Sequence, residues 1–145
     1  MVTEGLRSIL VTGGTGSFGT AYIGHLLARP DIERVVCYSR CEFKQAQLAA
    51  RFPDPRLRCF LGDVRDRERL EQALYHVDTI VHAAALKRVD TVAFDSGEAK
   101  KTNIDGSANV IQAALGSDGV QQIMLISSDK AAAAHNVYGK SKAFA

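Results

Sequence analysis

A chain of 145 residues, 46% hydrophobic and 23% charged, has the size and composition of one globular domain that buries roughly two-thirds of the surface its unfolded chain exposes. The formal net charge of +2 calls for no macromolecular partner, and Arg65, Arg67 and Arg69 alternate with Asp66 and Glu68 into a mixed solvated face that excludes a nucleic-acid patch. No stretch approaches the ~20 apolar residues of a membrane span.

Met1 to Leu6 includes Glu4 and lacks the apolar run of a signal peptide. Cys37, Cys41 and Cys59 are odd in number, with no C-x-x-C pair and no histidine cluster. They fit packing in a reducing compartment, not a metal site. A soluble, cytoplasmic protein is expected.

In chain order, Ile9 to Val11 reads as a buried strand, followed directly by the turn Thr12-Gly13-Gly14-Thr15-Gly16-Ser17-Phe18-Gly19. From Ser17 onward Phe18, Tyr22, Ile23, Leu26 and Leu27 recur at helical spacing. Pro30-Asp31 breaks that helix, and Arg34 to Ser39 reads as the second strand. A helix over 42–52 stops at Pro53-Asp54-Pro55, and Leu57 to Leu61 is the third strand, ending at Gly62-Asp63. Asp66 can cap a helix running to about Tyr75, with Leu70, Ala73 and Leu74 buried. Thr79 to Ala83 is the fourth strand, 98–115 a long helix, and Gln122 to Ser127 the fifth strand. A last helix begins near Tyr138.

Alternating strands and helices predict an α/β fold with a doubly wound, Rossmann-like parallel sheet in the order 3-2-1-4-5. The ligand is expected between strands 1 and 4, where the order reverses. Residues 1–145 are then an incomplete cofactor-binding domain, cut before a sixth strand and without a substrate-binding part. The half-covered sheet predicts self-association, or packing against further sequence.

Strand, glycine turn and helix together are the setting in which spaced glycines bind a dinucleotide. Gly13 permits the tight turn, Gly16 admits the pyrophosphate, and Gly19 lets helix and strand pack closely. Thr15, Ser17 and Phe18 complete the turn, and the helix start offers free N–H groups to phosphate. At the end of strand two stand Ser39 and Arg40, with Lys44 one turn on and no carboxylate directly at the strand end. Arginine pairs bidentately with a 2′-phosphate, so NADP is expected over NAD. Asp63 is placed to accept from the adenine amino group, and Val64 to pack on the ring.

Further along, Ala83, Ala84 and Ala85 are small enough for backbone to lie against the cofactor. Lys87 is either structural or a contact to substrate or cofactor. Asn103 either holds a kink or a water in the long helix, or is a polar position on it. Ser127-Ser128-Asp129-Lys130 follows strand five, and Tyr138 and Lys142 form a Y-x-x-x-K pair. At i and i+4 they share a helix face. The lysine ammonium favours the phenolate, so Tyr138 can take a hydroxyl proton while hydride leaves the same carbon. Lys142 can also hold the nicotinamide ribose.

T-G-G-T-G-S-F-G, Y-S-R, G-D-V-R-D, H-A-A-A-L-K, K-T-N and S-D-K-A followed by Y-G-K-S-K resemble the extended short-chain dehydrogenase/reductases. More narrowly they are similar to the inverting UDP-N-acetylglucosamine 4,6-dehydratases of bacterial flagellin and surface-polysaccharide pathways, from about Ile9 to the chain end. The resemblance implies a reaction on a UDP-sugar. The tyrosine matching Tyr138 helps oxidise C4 while hydride passes to NADP, and the new ketone acidifies the C5 proton. The lysine matching Lys130 removes that proton, the acid matching Asp129 protonates the departing C6 hydroxyl, and hydride returns to C6.

Ser128 stands where the family usually has threonine, and Ala133-Ala134 where it has Asn-Pro. Asp90, Ala93 and Asp95-Ser96 replace further family residues in loops that shape the substrate and oligomer surfaces. Two other readings stay open. One is a non-catalytic NADP-binding fragment. The other is a UDP-sugar 4-epimerase, which shares the tyrosine and lysine but does not need Asp129 with Lys130.

Overall fold

A computed structural model of the chain describes residue 5 and residues 7–85 and 96–127. Within them β1 (Ser8–Thr12), β2 (Arg34–Ser39), β3 (Leu57–Leu61), β4 (Thr79–His82) and β5 (Gln122–Leu125) form one parallel sheet in the order β3-β2-β1-β4-β5. That is the doubly wound order expected from the sequence. The helices are α1 (Ser17–Leu27), α2 (Glu42–Arg51), α3 (Arg67–Ala73), α4 (Ser96–Ala99) and α5 (Gly106–Leu115), with a π-helical segment over Lys100–Asp105 between the last two.

Successive residues of the central strands feed opposite cores. Ile9, Val11, Val35, Cys37 and Val81 pack with Ile23, Leu26 and Leu48 of α1 and α2. Leu10, Val36, Tyr38 and Ile80 pack with Leu70 of α3 and with Val110 and Ala113 of α5. Covered on both faces, these strands can be continuously apolar, which is how β1 reads. Truncating Leu10, fully buried, to Ala would cost about 2–5 kcal/mol.

The Asp66 carboxylate caps α3 as expected, accepting from the Arg69 N–H at 3.0 Å. The helix ends at Ala73, not near Tyr75, because the chain turns away through His76 at φ +57°. Leu74 is buried all the same. Ala83, expected in β4, lies beyond its end, and β5 stops at Leu125 instead of Ser127. The two ends coincide: Leu125 pairs with His82, the last residue of β4. The helix expected over 98–115 starts at Ser96 and is not uniform, since its middle is π-helical. Among the described residues no helix is long and apolar enough to cross a membrane.

Candidate functional site

At the carboxyl ends of β1, β2 and β4 the described residues enclose a cleft of about 240 Å³. One end is the glycine turn, represented by Gly13, Thr15, Gly16, Phe18 and Gly19. Gly13 sits at φ +67°, and a Cβ there would stand 2.9 Å from the Ala84 Cα. Only glycine combines that backbone with that approach. The Gly13 N–H donates to the Tyr38 carbonyl at 2.9 Å, and the Gly16 N–H to the Gly13 carbonyl at 2.9 Å.

Gly16 is the N-cap of α1, with no side-chain cap and no acidic residue in the first turn. The first N–H groups of that helix, which have no intrahelical partner, are left for an anion. A Cβ on Gly19 would lie 2.4 Å from the Gly13 oxygen. The close contact that Gly19 permits is therefore between helix and turn, where helix against strand was expected.

The other end of the cleft is built on β2 and β3. Ser39, Arg40, Cys41 and Lys44 line it with Gly62, Asp63 and Val64. The Ser39 hydroxyl accepts from Gln45 Nε2 at 3.0 Å. The Tyr38 hydroxyl donates to the Asp63 carbonyl at 2.9 Å. A Cβ on Gly62 would stand 2.4 Å from that tyrosine ring. Burial pushes the Tyr38 phenol up, and the Asp66 and Asp63 carboxylates add to the rise.

Asp63 is more heavily engaged than the sequence suggests. One carboxylate oxygen accepts from the Arg65 N–H at 2.9 Å, the other from Arg65 Nε and Nη2 at 3.0 and 2.8 Å. The Arg40 guanidinium stands 3.8 Å away. Burial pushes the carboxyl up, but the hydrogen bonds and charge of Arg65 outweigh it and hold Asp63 below the usual range. Three of its roughly four acceptor positions are taken, so it has about one left for a ligand.

The Ala83–Ala85 loop, which also lines the cleft, is held from beneath by a directed chain of hydrogen bonds. The Thr12 hydroxyl accepts from the Ala83 and Ala84 N–H groups, both at 3.2 Å. With both lone pairs used, its proton goes to His82 Nδ1 at 2.6 Å. That assigns the ring proton to Nε2, which donates to Ser107 Oγ at 3.0 Å. Ser107 donates in turn to the Asn103 carbonyl at 2.7 Å. Thr12, His82 and Ser107 are all buried. The chain runs from the cleft loop, through the sheet, to the π segment.

Ser17 opens α1 exposed, outside the cleft lining, and Asn103 is buried behind it. Lys87, Ser128, Asp129, Lys130, Tyr138 and Lys142 lie outside the described residues. Four lining residues were not singled out on the sequence: Tyr38, Cys41, Gly62 and Thr102. All four adjoin residues that were, Thr102 standing next to Asn103. Thr102 was hidden because a π segment shifts which positions face the sheet, and α-helical periodicity does not register that shift.

A family model described as polysaccharide biosynthesis protein matches residues 9–145. This chain belongs to that family. Over 136 residues the chain is 45% identical to the inverting UDP-N-acetylglucosamine 4,6-dehydratase of Campylobacter jejuni, a match covering 94% of this chain and 40% of the relative. It is 40% identical over 140 residues to a UDP-glucose 4-epimerase of Rickettsia massiliae, covering 94% of this chain and 41% of that protein. The structure of the dTDP-glucose 4,6-dehydratase DesIV from Streptomyces venezuelae with NAD bound matches at a TM-score of 0.85 and 31% identity, over 95% of this chain and 49% of the other. The chain thus spans 40% and 41% of the length of these two curated relatives. The similarity to the inverting dehydratases read from its motifs is borne out.

Proposed function

We propose that this chain is the cofactor-binding part of a nucleotide-sugar 4,6-dehydratase that acts on a UDP-N-acetylglucosamine-like substrate. The 45% identity to the inverting dehydratase carries the reading. The cleft supports it with features that suit a dinucleotide: Gly13 at positive φ beside an uncapped helix start, and two cations, Arg40 and Lys44, at the far end.

In this reading Gly13, Thr15, Gly16, Phe18 and Gly19 hold the pyrophosphate. Ser39, Arg40 and Lys44 take the 2′-phosphate that selects NADP over NAD, although NAD is the form bound in the DesIV structure. Asp63 and Val64 take the base, and Ala83, Ala84, Ala85 and Lys87 border the nicotinamide half. When bound, the nicotinamide supplies reversible hydride acceptance. Tyr138, its phenol acidified by Lys142, removes the C4 hydroxyl proton, and Ser128 holds that hydroxyl. Lys130 removes the C5 proton, and Asp129 protonates the C6 hydroxyl so that it leaves as water. A cytoplasmic, self-associating enzyme belongs to the same reading.

Calorimetric titration with NADP and NAD, followed by incubation with UDP-N-acetylglucosamine, tests it. Arg40→Ala should weaken NADP by about tenfold, about one 1.4 kcal/mol step, and leave NAD little changed. Lys130→Ala should abolish loss of water from the sugar and keep nucleotide binding. The epimerase likeness favours a second reading, in which Lys130→Ala changes little and the product is the C4 epimer. A chain that binds neither NADP nor NAD overturns both.

A further inference from the structure

Thr102 is buried, 4% exposed, and its hydroxyl has no hydrogen-bond partner. It nevertheless lines the cleft. Buried hydroxyls without partners are rare in folded proteins, and one that borders a cavity is most simply completed by whatever fills the cavity. The backbone around it is also unusual. Thr102 lies in the π-helical Lys100–Asp105, a geometry that recurs at functional sites.

Its surroundings say what kind of group completes it. The cleft crosses the carboxyl edge of the sheet. α1 belongs to one core cluster, while Val64 and α5 belong to the other. Gly106, four residues after Thr102, meets Val64 so closely that a Cβ there would stand 2.7 Å from its Cγ2. Asn109 Nδ2 donates to the Val64 carbonyl at 3.0 Å. Thr102 therefore stands on the helix that is packed against Val64, and Tyr38 and Ala84, which pack in the same core cluster, also line the cleft. The cations at Arg40 and Lys44 sit across at the end of β2. A hydroxyl that both donates and accepts, on the element packed against the apolar Val64 side chain, suits the edge of a flat heteroaromatic ring.

We infer that the Thr102 hydroxyl is a hydrogen-bonding contact for the purine base of an adenine nucleotide whose ring packs on Val64. The inference rests on the reading of the cleft as a dinucleotide site and adds a base-recognition residue to it.

Thr102→Val keeps the shape and removes the hydroxyl. Titration of the wild type and the variant with NADP, 5′-AMP and nicotinamide mononucleotide separates the possibilities. The expected result is about a tenfold loss of affinity for NADP and 5′-AMP, unchanged binding of nicotinamide mononucleotide, and a higher Tm for the free variant, because an unpartnered hydroxyl has gone. Thr102→Ser should restore 5′-AMP binding. Equal affinity of wild type and Thr102→Val for 5′-AMP would overturn the contact and leave a water as the partner. Equal losses in the serine and valine variants would overturn it in favour of packing alone. A wild type that binds neither NADP, NAD nor 5′-AMP would instead sink the dinucleotide reading itself.

Discussion

The Thr12 hydroxyl and His82 Nδ1 lie 2.6 Å apart, on residues that face each other in the pairing of β1 with β4. The sheet reverses its order between these two strands, so the contact lies beneath the point where the cleft opens. It joins the turn after β1 to the loop after β4, and through Ser107 to the π segment.

Thr12→Val should therefore act on stability and binding together. The Ala84 N–H loses its acceptor, whereas the Ala83 N–H keeps a second one in the Thr12 carbonyl. A part-buried donor left without a partner costs up to about 1–3 kcal/mol. Urea unfolding should show a loss of that size, and nucleotide affinity should fall with it, because the Ala83–Ala85 wall is no longer held. Unchanged affinity in a destabilised protein would show that the loop is positioned by other contacts.

Gly13→Ala should be far worse than Gly116→Ala. At Gly13 the positive φ costs about 1–3 kcal/mol for a side chain, and the Cβ meets the Ala84 backbone at 2.9 Å. Gly116 has ordinary helical angles, and its Cβ would meet nothing closer than 3.5 Å. Alanine there should be neutral or stabilising by a few tenths to about 1 kcal/mol. Thermal unfolding of the two variants, with nucleotide titration of each, checks the contrast.

Acid should weaken the fold through Asp54. Side-chain and backbone hydrogen bonds from Arg56 hold its carboxyl at about 2, below the ordinary 3.8. Arg56 also donates to the Arg29 and Ile32 carbonyls, at 2.8 and 3.0 Å, and to that of Leu27. Because the folded value is depressed, the stabilisation is fully present above pH about 4 and lost as pH falls from about 4 to about 2. Asp54→Asn should flatten that part of the stability–pH curve while leaving the neutral-pH shape unchanged.

The cysteines should report on the cleft. Burial pushes the Cys37 thiol up to about 12, so in the native protein it should resist thiol reagents that need the thiolate. Cys41 is half-buried and lines the cleft. Alkylation followed by peptide mapping should find Cys41 modified and Cys37 spared, with NADP slowing the reaction at Cys41. Labelling of Cys41 that saturating NADP leaves unaltered would mean that no bound nucleotide covers that end of the cleft.

Much of the architecture was legible in the linear pattern. Short apolar runs such as Ile9 to Val11, bounded by turn residues, read as strands buried on both faces, and the glycine spacing after that run marks the sharp turn at the switch point. The limits of β2 and β3 and the Asp66 cap coincide with expectation because local chemistry sets them. The ends of β4 and β5 did not follow from their own residues, since each is set by where its neighbour stops pairing. Among cofactor candidates, those next to the strand ends line the cleft. Ser17 and Asn103 do not, because the rotation of a helix on the sheet decides which of its positions face inward.

The sequence alone determined the fold class and the strand order, because hydrophobic periodicity and glycine spacing are local and one-dimensional. Only the tertiary structure decided that the Asp63 carboxylate is already held by Arg65, that Thr12 reaches His82, and that Thr102 brings an unpartnered hydroxyl to the cleft. Each of these joins or exposes groups far apart in the chain. Their energies depend on distances and on burial, which exist only once the strands have paired.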